Sequence, residues 1–368
     1  RMLFVLRRFA RVTPDNPRRA MVTMLAHPDV FAPDRIALRA FVRSGHAEVA
    51  VVAGMMLSYF AEQDGDLLAA IDCCAPMLAA WGTSATPWLW IVSLSRIGEL
   101  TLRAERSEEA LASFTEAVRL LGAIGAPRDM VGVYWGMMIA NLQLGRLDEA
   151  AHWLGRATAD NSGNPDADAD DAAFQFLFAA RAELSLARGE VDEGLRLWRR
   201  AVLAAPAEDT TDGATGTATG DDVPPWVLET WVGAVGAHAR FGRAELVADL
   251  MAELARRLER MLANPIERPP VYVIEQQLAG AALVALGAAD VALGAVGSGV
   301  RLVALAEQFK VLRGFRPTLT VEDVRAAVQE ADGPAYADAL SEYAGLDRDH
   351  LRHAALTALR ARRIRPAG

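Results

Sequence analysis

Apolar positions recur at helical spacing along the chain, and one phrase within that pattern returns six times. A helix runs into a Gly-centred turn, and some five residues later a small residue opens a second helix. Four positions on comes a large apolar residue, and three further on usually another small one. The clearest copies are Leu144-Gly145-Arg146-Leu147-Asp148-Glu149-Ala150 with Leu154 and Ala157, and Arg188-Gly189-Glu190-Val191-Asp192-Glu193-Gly194 with Trp198 and Ala201. The same triad reads Ala70/Cys74/Met77, Ala110/Phe114/Ala117, Val247/Met251/Leu254 and Ala292/Val296/Gly299 elsewhere. Its first residues fall at 70, 110, 150, 194, 247 and 292, giving intervals of 40, 40, 44, 53 and 45. A period of that length with an internal turn marks stacked helical hairpins.

Each position has a physical reason. A glycine after the first helix takes a left-handed end conformation without a Cβ clash. Glu108, Glu109, Asp148, Glu149, Asp192 and Glu193 fall in the first turn of the next helix, where negative charge complements the dipole. Small residues such as Ala110, Ala150 and Gly194 let two helices approach, and Phe114, Leu154 and Trp198 fill the space one turn further along. A single hairpin cannot bury its apolar face, so the units must stack. The expected fold is an all-α, right-handed superhelical solenoid.

Along the chain, residues 1–46 read as short helices leading into the solenoid, broken at Pro14, Pro17, Pro28 and Pro33. Six hairpins follow within 47–312, at about 47–81, 88–123, 129–160, 172–205, 226–263 and 272–312. An acidic polar loop, Asp160 to Asp171, interrupts them, and so does an insertion over 206–225. The insertion is rich in Thr, Gly and Asp and is expected to be disordered. Residues 313–368 read as closing helices: Thr320-Val321-Glu322-Asp323 resembles a capping box, Pro334 starts another helix, and a last one runs from Asp347 to an Arg-rich end at Arg360, Arg362, Arg363 and Arg365.

Composition narrows the function classes. The 368 residues are 52% hydrophobic but only 7% aromatic, as an Ala/Leu/Val-rich helical core requires, and 23% are charged. A net charge of −9 argues against a general nucleic-acid or anionic-membrane surface. No run reaches the roughly 18 apolar residues of a membrane span. Cys73 and Cys74 are adjacent and cannot form a disulfide framework, which suits a reducing cytoplasm. The apolar stretch after Arg1 is too short for a signal peptide, and position 1 is not Met. The expectation is a fragment of something larger.

Chemistry-bearing motifs are sparse. The chain holds no Gly-x-x-x-x-Gly-Lys-Ser/Thr loop for nucleotide phosphates. Gly294-Ala295-Val296-Gly297-Ser298-Gly299 has no strand before it and reads as close helix packing or a helix break. His350 and His353 share a helix face but lack a carboxylate or Cys partner at ligand spacing. Cys74 occupies a packing slot. The arginines at the C-terminal end are ordinary dipole partners, with DNA contact as the rival reading. No acid, base, nucleophile and metal set converges, so no enzyme is expected and no catalytic or metal-ligating residue is assigned.

What remains is a surface. In stacked hairpins the first helices line one side, and the face turned away from the triad contacts carries Tyr59, Glu62, Arg96, Glu99, Arg103, Trp135, Gln143, Glu183, Glu229 and Gln277. Such a concave groove can hold a peptide or a partner helix. The bland alternative is i,i+4 pairs and partly buried packing residues.

The segment Ala37-Leu38-Arg39-Ala40-Phe41-Val42-Arg43-Ser44-Gly45-His46-Ala47-Glu48-Val49-Ala50 resembles the opening of the helical-repeat region of large ATP-binding bacterial transcription regulators, the SARP-type activators and LuxR-type large regulators. Leu144 to Ala157 resembles the tetratricopeptide (TPR) copies within them. Val300 to Phe309, Tyr336-Ala337-Asp338-Ala339-Leu340 and the helix from Asp347 resemble their closing helices. Asp34-Arg35-Ile36-Ala37-Leu38 departs from the acidic-Asn-Leu cluster usual there. The resemblance implies a cytoplasmic, TPR-like sensor and protein-interaction region that binds a protein or peptide, including upstream domains of its own chain. It implies no cofactor in this segment, with ATP bound by an upstream domain, and no direct contact with nucleic acid or membrane. Two other readings stay open: a free-standing TPR scaffold or adaptor, and a small-molecule-binding regulatory domain closed by the 206–225 loop.

Overall fold

The computed structural model describes residues 35–79, 87–126, 129–161, 171–204, 225–264, 275–309 and 320–362, together with Arg19. The 206–224 insertion, all but one of residues 1–34, the middle of the acidic loop, and Arg363 and Arg365 lie outside them. Every described element is helical. They are α1 (Arg35–Val42), α2 (Ala47–Gln63), α3 (Leu67–Asp72), α4 (Ala75–Ala79), α5 (Pro87–Arg103), α6 (Ser107–Ile124), α7 (Met130–Gln143) and α8 (Leu147–Asn161). Then come α9 (Asp171–Ala187), α10 (Val191–Leu203), α11 (Pro225–Arg240), a 3₁₀ turn (Ala244–Val247), α12 (Ala248–Ala263), α13 (Glu275–Ala292), α14 (Val296–Gln308), α15 (Val321–Tyr343) and α16 (Arg348–Ala361). The chain is all-α, built of paired helices as the periodicity predicts.

Six turns join the pairs, and all six close in the same way. The left-handed residue donates to the carbonyl three back, and the next residue donates to the carbonyl five back; in the third copy these are Gly145 N to Leu142 O at 3.0 Å and Arg146 N to Asn141 O at 2.8 Å. This double bond satisfies carbonyls that the helix end would leave orphaned. Gly65, Gly145, Gly189, Gly242 and Gly294 hold the left-handed position, but the second turn uses Glu105, at φ 59°. The expectation of a glycine in every copy is corrected there.

The turn also corrects the register of the sixth triad. In the first five copies the left-handed residue precedes the triad by five positions. Counting five from Gly294 gives Gly299, Val303 and Ala306 instead of Ala292, Val296 and Gly299. Gly299, Val303 and Ala306 are all buried, whereas Ala292 ends α13 exposed. Of the three glycines within 294–299, Gly294 and Gly297 are exposed and only Gly299 packs.

The described residues divide into two compact units, the first ending at Ala140 and the second starting at Asn141. In the first, Phe114 from α6 enters a slot between α5 and α7 whose walls are glycines. A Cβ on Gly136 would lie 2.6 Å from the Phe114 ring, and one on Gly98 would also overlap it. The second arm of the first hairpin is broken into α3 and α4 around Cys73 and Cys74, where Pro76 lacks an N–H for the i−4 carbonyl. In the second unit one continuous core runs from Ala182 to Leu359 and contains Trp198, the largest fully buried side chain. Gly287 and Gly299 let α13 and α14 touch: a Cβ on Gly299 would meet the Gly287 carbonyl at 2.6 Å. That is the close-packing role expected of the Gly-rich segment.

Thr320 caps α15 by accepting from Asp323 N at 3.0 Å, and Asp347 caps α16 by accepting from His350 N at 2.9 Å. Asp332 breaks α15 two residues before Pro334 and caps the new segment through Ala335 N. Among the described residues no helix is long and apolar enough to cross a membrane.

Candidate functional site

Five of the ten predicted surface residues converge on one network in the first unit. Ser58, Tyr59 and Glu62 come from α2, and Arg96, Glu99 and Arg103 from α5; helical spacing puts each set on one side of its helix. Arg96 Nη2 donates to Glu62 Oε2 at 2.6 Å, its Nε to Ser58 Oγ at 3.1 Å, and its Nη1 to Glu99 Oε2 at 3.4 Å. The guanidinium lies over the Tyr59 ring, 3.9 Å from its centroid. The Ser58 hydroxyl in turn donates to Met55 O at 2.7 Å. Arg103 Nη1 pairs with Glu62 Oε1 at 2.8 Å, so one carboxylate bridges two guanidinium groups.

The network is graded in depth. The Arg96 and Glu62 side chains are 3% and 5% exposed, Arg103 is 12%, and Glu99 is 46%. Burying a charge is costly unless it is paired and hydrogen-bonded, and each of the three Arg96 guanidinium nitrogens has an acceptor. Desolvation pulls Arg96 down, but Glu62, Tyr59 and Glu99 outweigh it and hold the guanidinium above its ordinary value. Burial likewise raises the Tyr59 phenol, with Arg96 opposing. Both groups are therefore fixed as cation and neutral phenol at physiological pH.

The other five predicted residues lie on α7, α9, α11 and α13. Trp135 is half-buried on α7 in the first unit, and Gln143, at the end of the same helix, belongs to the second. Glu183 is buried and accepts the Trp198 indole N–H at 3.2 Å, so its carboxylate faces the core. Glu229 is half-buried on α11, and Gln277 is buried on α13. Sequence spacing placed all ten on one helix side but had no measure of depth.

The remaining candidate groups have structural partners. Burial pushes the Cys74 thiol up to about 12, so it stays protonated, and it packs against α5. His350 Nδ1 lies 2.8 Å from Asp347 Oδ1 at the α16 cap. Arg360 pairs with Glu259, and Arg362 makes a forked contact with Asp290 (2.8 Å from Nε and from Nη2), which also accepts from Ser298 Oγ at 2.7 Å. These two arginines hold the last helix to α12 and α13. Sequence reading missed Ser58, the Phe114 slot and the Asp290 clasp. The glycines at 98 and 136, each within a helix that has no need of them, were the available signal for the slot.

No protein-family model matches the chain, and no curated protein matches it. Among solved structures it is similar to BtubC (BKLC) from P. vanneervenii at 15% identity, over 73% of this chain and 93% of that one, with a TM-score of 0.42. It is also similar to NprR in complex with its cognate peptide NprX, at 11% identity over 83% and 85% with a TM-score of 0.39. The apo form of the quorum sensor NprR from B. thuringiensis aligns at 12% identity over 94% and 97%, with a TM-score of 0.40. At such identities and TM-scores these likenesses carry no argument about what the chain does.

Proposed function

We propose that this chain is a protein-interaction and sensor region of a cytoplasmic bacterial transcription regulator, non-enzymatic in itself. The observation that carries the interaction reading is the network of Tyr59, Glu62, Arg96, Glu99 and Arg103 on α2 and α5. The triads on the second helices pack the hairpins, whereas this network joins the first helices α2 and α5. A buried ion-pair network contributes little to stability against an apolar replacement of similar volume, so its presence on one face, with Glu99 open to solvent, suits recognition. The regulator assignment rests on the likeness of residues 37–50, 144–157 and 300–309 to the helical-repeat regions of SARP-type and LuxR-type large regulators. In that reading the partner is a protein or peptide, including domains of the same gene product that bind DNA and ATP.

The gene sequence upstream of Arg1 is the first test. A phosphate-binding loop and a helix-turn-helix there, together with saturable, nucleotide-dependent association of those domains with this chain, support the reading. A coding sequence without them turns it to a free-standing adaptor. A further check is Arg103→Ala, which is expected to weaken association by about 1 kcal/mol or more with helicity intact. Lost helicity would make Arg103 a packing residue instead.

A further inference from the structure

Helix α15 is broken in the middle. Asp332 leaves helical geometry (φ −163°, ψ 79°), and Pro334 has no N–H for the carbonyl four residues back, so the backbone ladder is interrupted there. The first half buries Val324 and Val328, and the second buries Tyr336, Ala339 and Tyr343. One carboxylate on α14 meets both halves. Arg325, before the break, forks onto Glu307, with Nε to Oε1 and Nη2 to Oε2 both at 2.9 Å. Tyr336, after the break, donates its hydroxyl to the same Glu307 Oε1 at 3.2 Å. Tyr336 is 2% exposed, and burial raises its phenol, so it remains a neutral donor that needs an acceptor. The Glu307 side chain is 22% exposed, so water competes for it, and the Arg325 fork holds it in place for Tyr336.

We propose that Glu307 is a clamp across the break in α15, so that docking of either half on α14 stabilises the other. The interrupted backbone does not carry that coupling; the shared carboxylate does. Groups that meet on one acceptor act non-additively, because losing one partner changes what the acceptor offers the other. Without Arg325, Glu307 turns toward water and the buried Tyr336 hydroxyl loses its acceptor. Without the Tyr336 hydroxyl, Glu307 loses the contact that keeps it, and with it Arg325, against α14. Coupling of this kind is reciprocal, so whatever binds or loosens one half shifts the other by the same free energy. The clamp is a property of the closing helices and is independent of the partner reading above.

The test is backbone amide exchange on the full chain, followed separately over residues 321–331 and 335–343. Arg325→Met removes the fork but keeps an apolar stem, and Tyr336→Phe removes only the hydroxyl, so both variants retain the apolar packing. Melting temperature checks that each is folded. Arg325→Met is expected to speed exchange over 335–343, across the break, on the order of fivefold. Tyr336→Phe is expected to speed exchange over 321–331 in return. The double variant is expected to exchange over 335–343 no faster than Tyr336→Phe alone, within about twofold, because the clamp is already open. Acceleration by Arg325→Met confined to 321–331 overturns the clamp. So does a double variant whose two effects over 335–343 multiply, since the halves would then loosen by separate routes.

Discussion

Glu105 holds a left-handed backbone at φ 59°, where the five equivalent turns hold glycine. A side chain there crowds its own carbonyl by roughly 1–2 kcal/mol, partly offset because glycine has more freedom to lose on folding. Glu105→Gly is therefore expected to stabilise the chain by about 1 kcal/mol, and Gly145→Ala to destabilise it by a similar amount, both read by urea denaturation. His238 makes a pH prediction. Its Nδ1 lies 2.7 Å from Ala234 O, which only accepts, so that nitrogen carries the proton in the neutral ring. Burial holds the imidazole below its ordinary 6.5, with the Ala234 hydrogen bond opposing. The unfolded ring takes up a proton near 6.5 and the folded ring only at lower pH. Stability from this group is thus full above 6.5 and falls as pH drops below it. The lowered carboxylates Glu116, Glu253 and Asp347 titrate below that window. His238→Gln is expected to flatten the slope of stability between pH 7 and 5, measured by denaturant midpoints; an unchanged slope would sink the assignment.

At the scale of elements, the packing of α5, α6 and α7 depends on matched extremes of size. Phe114 fills a slot that only glycines at 98 and 136 leave open. Gly98→Ala is expected to cost about 1–3 kcal/mol through overpacking, although alanine is the better helix former. Phe114→Leu added to Gly98→Ala is expected to recover part of that loss, so the two changes are non-additive in a thermal-melt cycle. The last helix shows the polar counterpart. Arg362 and Asp290 are 3% and 6% exposed, and removing one leaves a buried charge unpaired. Arg362→Ala is expected to cost about 3–5 kcal/mol and to loosen α16, read as faster amide exchange across it.

At the scale of the whole molecule, the described residues form two compact units. The charged network lies in the first, and the large core around Trp198 lies in the second. Trp198→Ala removes a fully buried indole and the donor that satisfies Glu183, at a cost of about 3–5 kcal/mol. In calorimetry the expected result is a lower melting transition for the second unit with the first little changed. A single transition shifted as a whole would show the units to be one cooperative body.

The hairpin repeat was legible in the sequence because it is a local property. Turn chemistry, helix period and small-to-large spacing act within a dozen residues, and five of six triads could be placed from them alone. The sixth slipped because a run of glycines offers several starts, and only burial shows which one packs. The side of the helix carrying Tyr59, Glu62, Arg96, Glu99 and Arg103 was likewise readable from spacing. Their meeting was not, since residues 34 and 38 positions apart join only when α2 and α5 pack. Depth was the other thing spacing could not supply. Glu183 and Glu99 look alike in sequence, yet one faces an indole in the core and the other faces water. Periodicity settles which side of a helix a residue takes; only the neighbouring helices decide whether that side is covered.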